Sequence, residues 1–300
     1  MKKYLKLLRV KHYMKNILIL LPAVLMQQLF CRQVFFESAV GIVIFSMVSS
    51  VIYVVNDIRD LESDREHPTK CMRPLASGEI SVQAAKRLIF IIMVGVIFVW
   101  GRGNQEFALK YILVPLLYLA MNIAYSVKLK EYPLLDVFIL MLGYVMRLIY
   151  GGILIGTGIS AWMFLTVTAA AFFLGFGKRR NELLIYGDTG RENLKRYTLG
   201  FLDQACLMSM TMTIVFYSLS CADTNTAVAQ AGVNLLWSVP IVIMICLRYL
   251  MILHSGRSDG DPVEVLLKDK WLVLLCVFYF GALLLLLYGP ACWIYDIIVY

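Results

Sequence analysis

Long apolar runs separated by short polar segments dominate the chain, and the runs set the expected elements. Nine stretches read as membrane-spanning candidates: 17–31, 34–55, 88–101, 109–126, 134–156, 160–177, 206–222, 233–253 and 271–290. A helix needs about 20 predominantly apolar residues to cross a hydrocarbon core, so the first and third stretches are short. None shows the strict alternation of an outer-membrane barrel strand. Backbone polar groups in lipid must pair within their own segment, which makes each stretch an expected helix. The expected fold is all-α, a polytopic membrane bundle of about nine transmembrane helices. It forms one integral-membrane catalytic unit over residues 1–300.

Composition works mainly by exclusion. Of 300 residues, 60% are hydrophobic and 16% charged, and the mean hydropathy is +0.76. Too few polar side chains exist to coat a water-soluble body of this size. That excludes an ordinary soluble domain, a disordered chain and a secreted disulfide scaffold. The cysteines, Cys31, Cys71, Cys206, Cys221, Cys246, Cys276 and Cys292, form no C-x-x-C pair and fall mostly in or beside apolar runs. Neither a cysteine metal site nor a disulfide framework is expected.

The formal charge of +8 reports topology. Of the 28 Lys and Arg, 23 lie in the N-terminal arm and in the segments 56–87, 127–133, 178–205 and 254–270. Only Arg32, Arg102 and Lys110 lie on the other side, and Arg147 and Arg248 sit within spans. The bias places the N-terminus in the cytoplasm and, with nine spans, the C-terminus outside. No nucleic-acid-binding signature accompanies the charge, so no nucleic-acid partner is expected. The arm, residues 1–16, holds six Lys and Arg with no cleavage pattern behind it, so no removable signal peptide is expected. Tyr4, Leu5, Leu7, Leu8 and Val10 alternate there with basic residues, as in an amphipathic helix lying on a membrane surface. The cytoplasmic loops are the longer ones and carry both signs of charge, which puts any chemistry at that face.

The strongest chemical signal is NDIRDLESD, residues 56–64, closing the second span. At 3.6 residues per turn, Asp57, Asp60 and Asp64 fall within about 60° on one helix face. Like charges so arranged repel unless a cation sits among them. Mg²⁺ fits, because it takes carboxylate and phosphate oxygens together; the competing reading is a solvated loop. Lys70 and Arg73 follow in the same loop, and acids beside bases suit a polyphosphate. In YSVKLKEYPLLD, residues 125–136, Tyr125, Lys128 and Lys130 lie near the membrane surface and Asp136 opens the fifth span. Arg147 lies on the same face as Asp136, about 16 Å along the axis, so the two cannot pair. Gly143 and Gly151 notch that face around it. A charge so deep is a functional candidate, with a structural ion pair as the alternative. GFGKRRNE, residues 175–182, offers Lys178, Arg179 and Arg180 as an anion site, and Glu182 as a further acid or a residue orienting an Arg. GDPVEVLLKDK, residues 260–270, reads as a turn at Asp261-Pro262 before a short helix. His12, His67 and His254 make no zinc-like pattern.

The N-D-x-x-D-x-x-x-D motif at 56–64, on the second of nine helices, resembles the UbiA superfamily of intramembrane prenyltransferases. The resemblance implies a helical bundle that binds a diphosphate through Mg²⁺ and aspartates at its cytoplasmic rim. In typical members a second aspartate-rich motif follows the sixth span; here that loop begins Lys178-Arg179-Arg180-Asn181-Glu182. NDIRDLESDREHPTK, YSVKLK with Asp136, GKRRNE, DPVEVLLKD and the run R-V-K-H-Y-M-K-N at 9–16 are similar to one branch, the polyprenyl-phosphate (decaprenyl type) phosphoribosyltransferases, although Val10 replaces that branch's usual proline. The branch implies Mg²⁺-dependent transfer of 5-phosphoribose from phosphoribosyl pyrophosphate (PRPP) to a polyprenyl phosphate in a bacterial cytoplasmic membrane, feeding cell-wall biosynthesis. Asp57, Asp60 and Asp64 are then the metal and catalytic residues. The substrate-binding candidates are Lys15, Asn56, Lys70, Arg73, Tyr125, Lys128, Lys130, Asp136, Arg147, Lys178, Arg179, Arg180 and Glu182. The alternative is prenyl transfer from a prenyl diphosphate to an aromatic or other small acceptor. An oligomer is compatible with the pattern, which sets no oligomeric state.

Overall fold

The apolar runs fold as helices. The computed structural model describes residues 2–67, 69–101, 108–187, 192–224, 234–256 and 260–289. Arg102, Arg191, Arg257 and Cys292 lie outside them. In chain order the α-helices are α1 (Lys2–Leu7), α2 (Leu21–Leu25), α3 (Arg32–Arg59), α4 (Leu61–Glu66), α5 (Val82–Gly101), α6 (Ala108–Val127), α7 (Leu135–Ile155), α8 (Ala161–Tyr186), α9 (Leu199–Ala222), α10 (Val239–His254), α11 (Pro262–Lys268) and α12 (Lys270–Tyr288). A 3-10 helix, Val10–Leu20, joins α1 to α2.

Seven of the described helices are long and apolar enough to cross a membrane: α3, α5, α7, α8, α9, α12 and Leu235–His254, which contains α10. The chain is an integral membrane protein. Tyr111–Val127 within α6 is a shorter apolar helix. The first expected span, 17–31, differs most from a regular helix. It is the end of the 3-10 helix followed by the one short turn of α2, which Pro22 opens. Proline is tolerated there because the first turn needs no N–H from it. Gln27, at φ 56, then turns the chain away.

Two apolar clusters divide the bundle. One gathers Ile19, Phe45, Val48, Ile52, Val114, Tyr118 and Tyr150, from the 3-10 helix, α3, α6 and α7. The other gathers Val137, Phe173, Leu202, Cys206, Tyr249 and Leu272, from α7 to α12. Helix α7 belongs to both and is the seam. Helix α3 is central, with 61% of its spanning window buried; α5 has 11% and turns Phe90, Ile91, Ile97 and Phe98 outward, as a lipid-facing helix does.

The N-terminal arm is tied to the rest of the protein. Leu7 is fully buried with Val54, Leu75 and Ile80. Lys3 and Lys6 donate to the carbonyls of Glu79 and Met72. Helix α1 therefore docks on the loop between α4 and α5, because its one apolar side finds a protein cluster, while Tyr4 and Leu5 stay exposed.

Candidate active site

Close backbone approaches bring the site together. A Cβ on Gly151 would lie 2.2 Å from the Ile19 carbonyl oxygen, so only glycine lets the 3-10 helix lie on α7. Gly260, at φ +78, has its Cβ direction 2.9 Å from both Gly177 O and Lys178 Cα, so the segment before α11 sits directly on α8. Between these contacts opens a cavity of about 160 Å³, lined from the 3-10 helix, α3, α6, α7, the end of α8 and Asp261.

The 3-10 geometry decides what the arm presents. Side chains at i and i+3 eclipse in such a helix, which puts His12 and Lys15 together on the cavity, and Arg9, just before the helix, lines it as well. Sequence reasoning singled out Lys15 but passed over Arg9 and His12; their three-residue spacing was the available signal. Arg9 sits in the left-handed region at φ 51, a conformation that costs an ordinary residue about 1–2 kcal/mol. Its side chain bonds Asp57 Oδ1 at 2.6 Å and lies over the Tyr53 ring at 4.8 Å.

The acidic motif divides. The helix breaks at Asp60, although Asp60 N and Asp64 N still donate to the carbonyls four residues back. Asp57 and Asp64 stay on one face: Arg73 Nη1 bonds Asp57 Oδ1 at 3.2 Å and Asp64 Oδ2 at 2.5 Å. Both carboxylates are buried. Asp60, more exposed, turns to Lys130 at 2.8 Å. Asn56 Oδ1 accepts from Ser126 and lines the cavity. No three His, Cys, Asp or Glu side chains among the described residues converge as a complete metal cage. The donor set still fits Mg²⁺, which is held by one or two carboxylates and completes its shell with water and substrate phosphate. Asp57 and Asp64, converging on one guanidinium nitrogen, are such a pair.

On the opposite wall, Asp261 Oδ2 accepts from Lys178 at 3.1 Å, while its Oδ1 caps α11 through Val263 N and lies 3.9 Å from His12 Nδ1. Burial alone would raise the Asp261 pKa; Lys178, Lys15 and His12 outweigh it and hold the carboxyl well below the usual range. Burial, together with Lys15, Arg9 and Lys178 and against Asp261, pushes His12 down to about 4. His12 is therefore neutral near pH 7. The sequence marked Asp261 only as a turn residue.

Arg179 and Asp136 are 1% and 0% exposed at their side chains and bond at 2.5 Å. Asp136 also accepts from Asn193 and Tyr197, and Arg179 pairs with Glu182 and reaches Tyr125 OH. This buried network sets the cavity wall. Arg180 is a correction to the expected trio of substrate-binding bases. Successive helical residues fan by about 100°, so Lys178 and Arg179 reach the cavity while Arg180 turns away to Asp203 at 2.5 Å and the Leu253 carbonyl at 3.1 Å. Lys128 is exposed, and Lys70 lies in the 3-10 turn Lys70–Met72; neither lines the cavity. Arg147 lies at its inner end, 3% exposed.

This fold and site define a polytopic membrane transferase with a charged cavity. Residues 20–266 match the model of the UbiA prenyltransferase family, and the chain belongs to that family. It is 32% identical to the decaprenyl-phosphate phosphoribosyltransferase of Corynebacterium glutamicum, over 95% of this chain and 86% of that protein. It is 33% identical to the enzyme of the same name from Mycolicibacterium smegmatis, over 82% and 78%. Among solved structures, a UbiA homologue from Archaeoglobus fulgidus bound to GPP and Mg²⁺ superposes with a TM-score of 0.66 at 19% identity, covering 94% of this chain and 99% of that one.

Proposed function

We propose that the chain transfers 5-phosphoribose from PRPP to a polyprenyl phosphate and releases pyrophosphate, with the site at the cytoplasmic face of a bacterial inner membrane. The observation that carries this reading is the cavity's charge: Arg9, paired with Asp57 of the acidic motif, lines it on one side and Lys178 and Arg179 line it on the other. Donor and acceptor together bring three phosphate-bearing groups, which need several separate cations. The curated relatives of the same name support it over most of the chain.

Asp57 and Asp64 would hold Mg²⁺, with Asp60 and Asn56 at its edge. A bound Mg²⁺ supplies charge neutralisation on the diphosphate leaving group. Arg9 and Arg73, already at these carboxylates, are placed to take phosphate oxygens once the carboxylates have another cation. The C1–O bond to pyrophosphate breaks, ribose C1 gains oxocarbenium character, and a lipid phosphate oxygen forms the new C1–O bond. That oxygen is already anionic, so no general base is required. Lys178, Arg179 and Tyr125 orient the donor from the opposite wall.

One observation favours prenyl transfer instead: the fold neighbour from Archaeoglobus fulgidus holds GPP. The deciding experiment supplies purified protein in detergent with Mg²⁺, radiolabelled PRPP and polyprenyl phosphate. Label in the organic phase, lost in Asp64→Asn, is expected. Turnover only of a prenyl diphosphate with an aromatic acceptor would overturn the proposal.

A further inference from the structure

Two cations facing the cavity make no ion pair with a carboxylate among the described residues. A guanidinium carries five N–H donors. The bonds Arg147 makes all go to neutral acceptors: Asn16 Oδ1 at 2.7 Å, Gly143 O at 2.6 Å and Tyr118 OH at 3.1 Å. The rings of Phe45 and Tyr118 flank it at 4.7 and 4.8 Å, which solvates its charge without cancelling it. Lys15 makes no hydrogen bond or ion pair to any described residue; its ammonium is within electrostatic reach of Tyr53, Tyr144, Arg147 and Asp261. The other cations of the cavity wall are answered: Arg9 by Asp57, Lys178 by Asp261, Arg179 by Asp136 and Glu182. Two like charges in one membrane-interior cavity are costly unless an anion joins them.

We propose that Lys15 and Arg147 form an inner anion subsite that takes a phosphate monoester, on the bilayer side of the acidic motif. Arg147 lies against the Phe45 ring, and Phe45 stands twelve residues before Asp57 on α3, about 18 Å along the axis, so Arg147 lies deeper than the diphosphate gathered at Asp57 and Asp64. The unused guanidinium N–H groups and the free ammonium supply a fork and a point charge, a combination suited to a dianionic phosphate. The lipid phosphate and the donor's 5-phosphate share this chemistry. Naming those two sources rests on the transfer proposed above; the subsite itself rests on the unanswered charges.

The test is native mass spectrometry of the full chain in detergent with Mg²⁺, titrated separately with polyprenyl phosphate, the matching uncharged polyprenol, and PRPP. Lys15→Gln carries the test, because Lys15 makes no hydrogen bond or ion pair to the described residues whose loss would unfold the protein. Arg147→Lys is the second variant, keeping the charge while losing the fork. Expected is about tenfold or more weaker binding of polyprenyl phosphate in both variants, the loss typical of a charge-assisted hydrogen bond, with polyprenol binding unchanged. A similar loss for PRPP alone supports the subsite and assigns it to the 5-phosphate. Unchanged affinity for both phosphate ligands in Lys15→Gln overturns the proposal. If the wild type transfers no label from PRPP yet prefers polyprenyl phosphate over polyprenol through Lys15, the transfer reading fails and the subsite stands.

Discussion

Replacing Asp136 by leucine tests whether the buried network holds the cavity wall. The carboxylate is fully buried and accepts three bonds, from Arg179 at 2.5 Å, Asn193 at 2.8 Å and Tyr197 at 2.9 Å. Its loss leaves Arg179, 1% exposed, with Glu182 as its remaining carboxylate. Breaking a buried pair from one side costs about 3–5 kcal/mol, because the remaining charge stays desolvated. Glu182 places the expectation at the lower end, about 3 kcal/mol. Unfolding in mixed micelles, titrated with SDS and followed by tryptophan fluorescence, measures it. The double variant Asp136→Leu with Arg179→Met removes both charges and should recover most of the loss, as expected when an ion pair is replaced by packed apolar groups. Lys268→Ala is the control: it removes an ion pair to Glu264 whose side chains are 68% and 49% exposed, and should change nothing measurable. A loss in Asp136→Leu no larger than in that control, or no recovery in the double variant, would refute the reasoning.

Other outcomes follow from single contacts. Gly151→Ala sets a methyl against the Ile19 carbonyl and should cost about 1–3 kcal/mol, lowering activity as well because His12 and Lys15 ride on the displaced segment; equal melting temperatures would contradict it. Lys178→Gln should raise the KM for the donor in the transfer assay, whereas Arg180→Gln should lower stability with KM unchanged, since only Lys178 faces the cavity. His12 takes its proton only near 4 when folded and near 6.5 when unfolded. The unfolded state therefore gains protons first, and stability should fall as pH drops from about 6.5 toward 4, by on the order of 3 kcal/mol. His12→Gln should flatten that part of a pH-stability profile measured in the same micelles.

The sequence by itself determined the membrane class, nearly all of the helices and the acidic motif, because apolar length and helical periodicity are local properties. It also marked Arg147 and Asp136 as charges on one face that cannot pair. Only the tertiary structure decided which charge answers which. Asp136 meets Arg179 across 43 residues and Arg147 meets Asn16 across 131, and no local pattern specifies such pairings. The fan of Lys178, Arg179 and Arg180 was implicit in helical geometry, but which member faces the cavity depended on where α8 lies against α9 and α10. His12 and Lys15 align because their segment is a 3-10 helix seated on Gly151, and Arg9 joins them from the left-handed position just before it, an arrangement fixed by close backbone contact rather than by propensity. Periodicity records which residues share a face, and packing records what that face meets; the chemistry here depends on both.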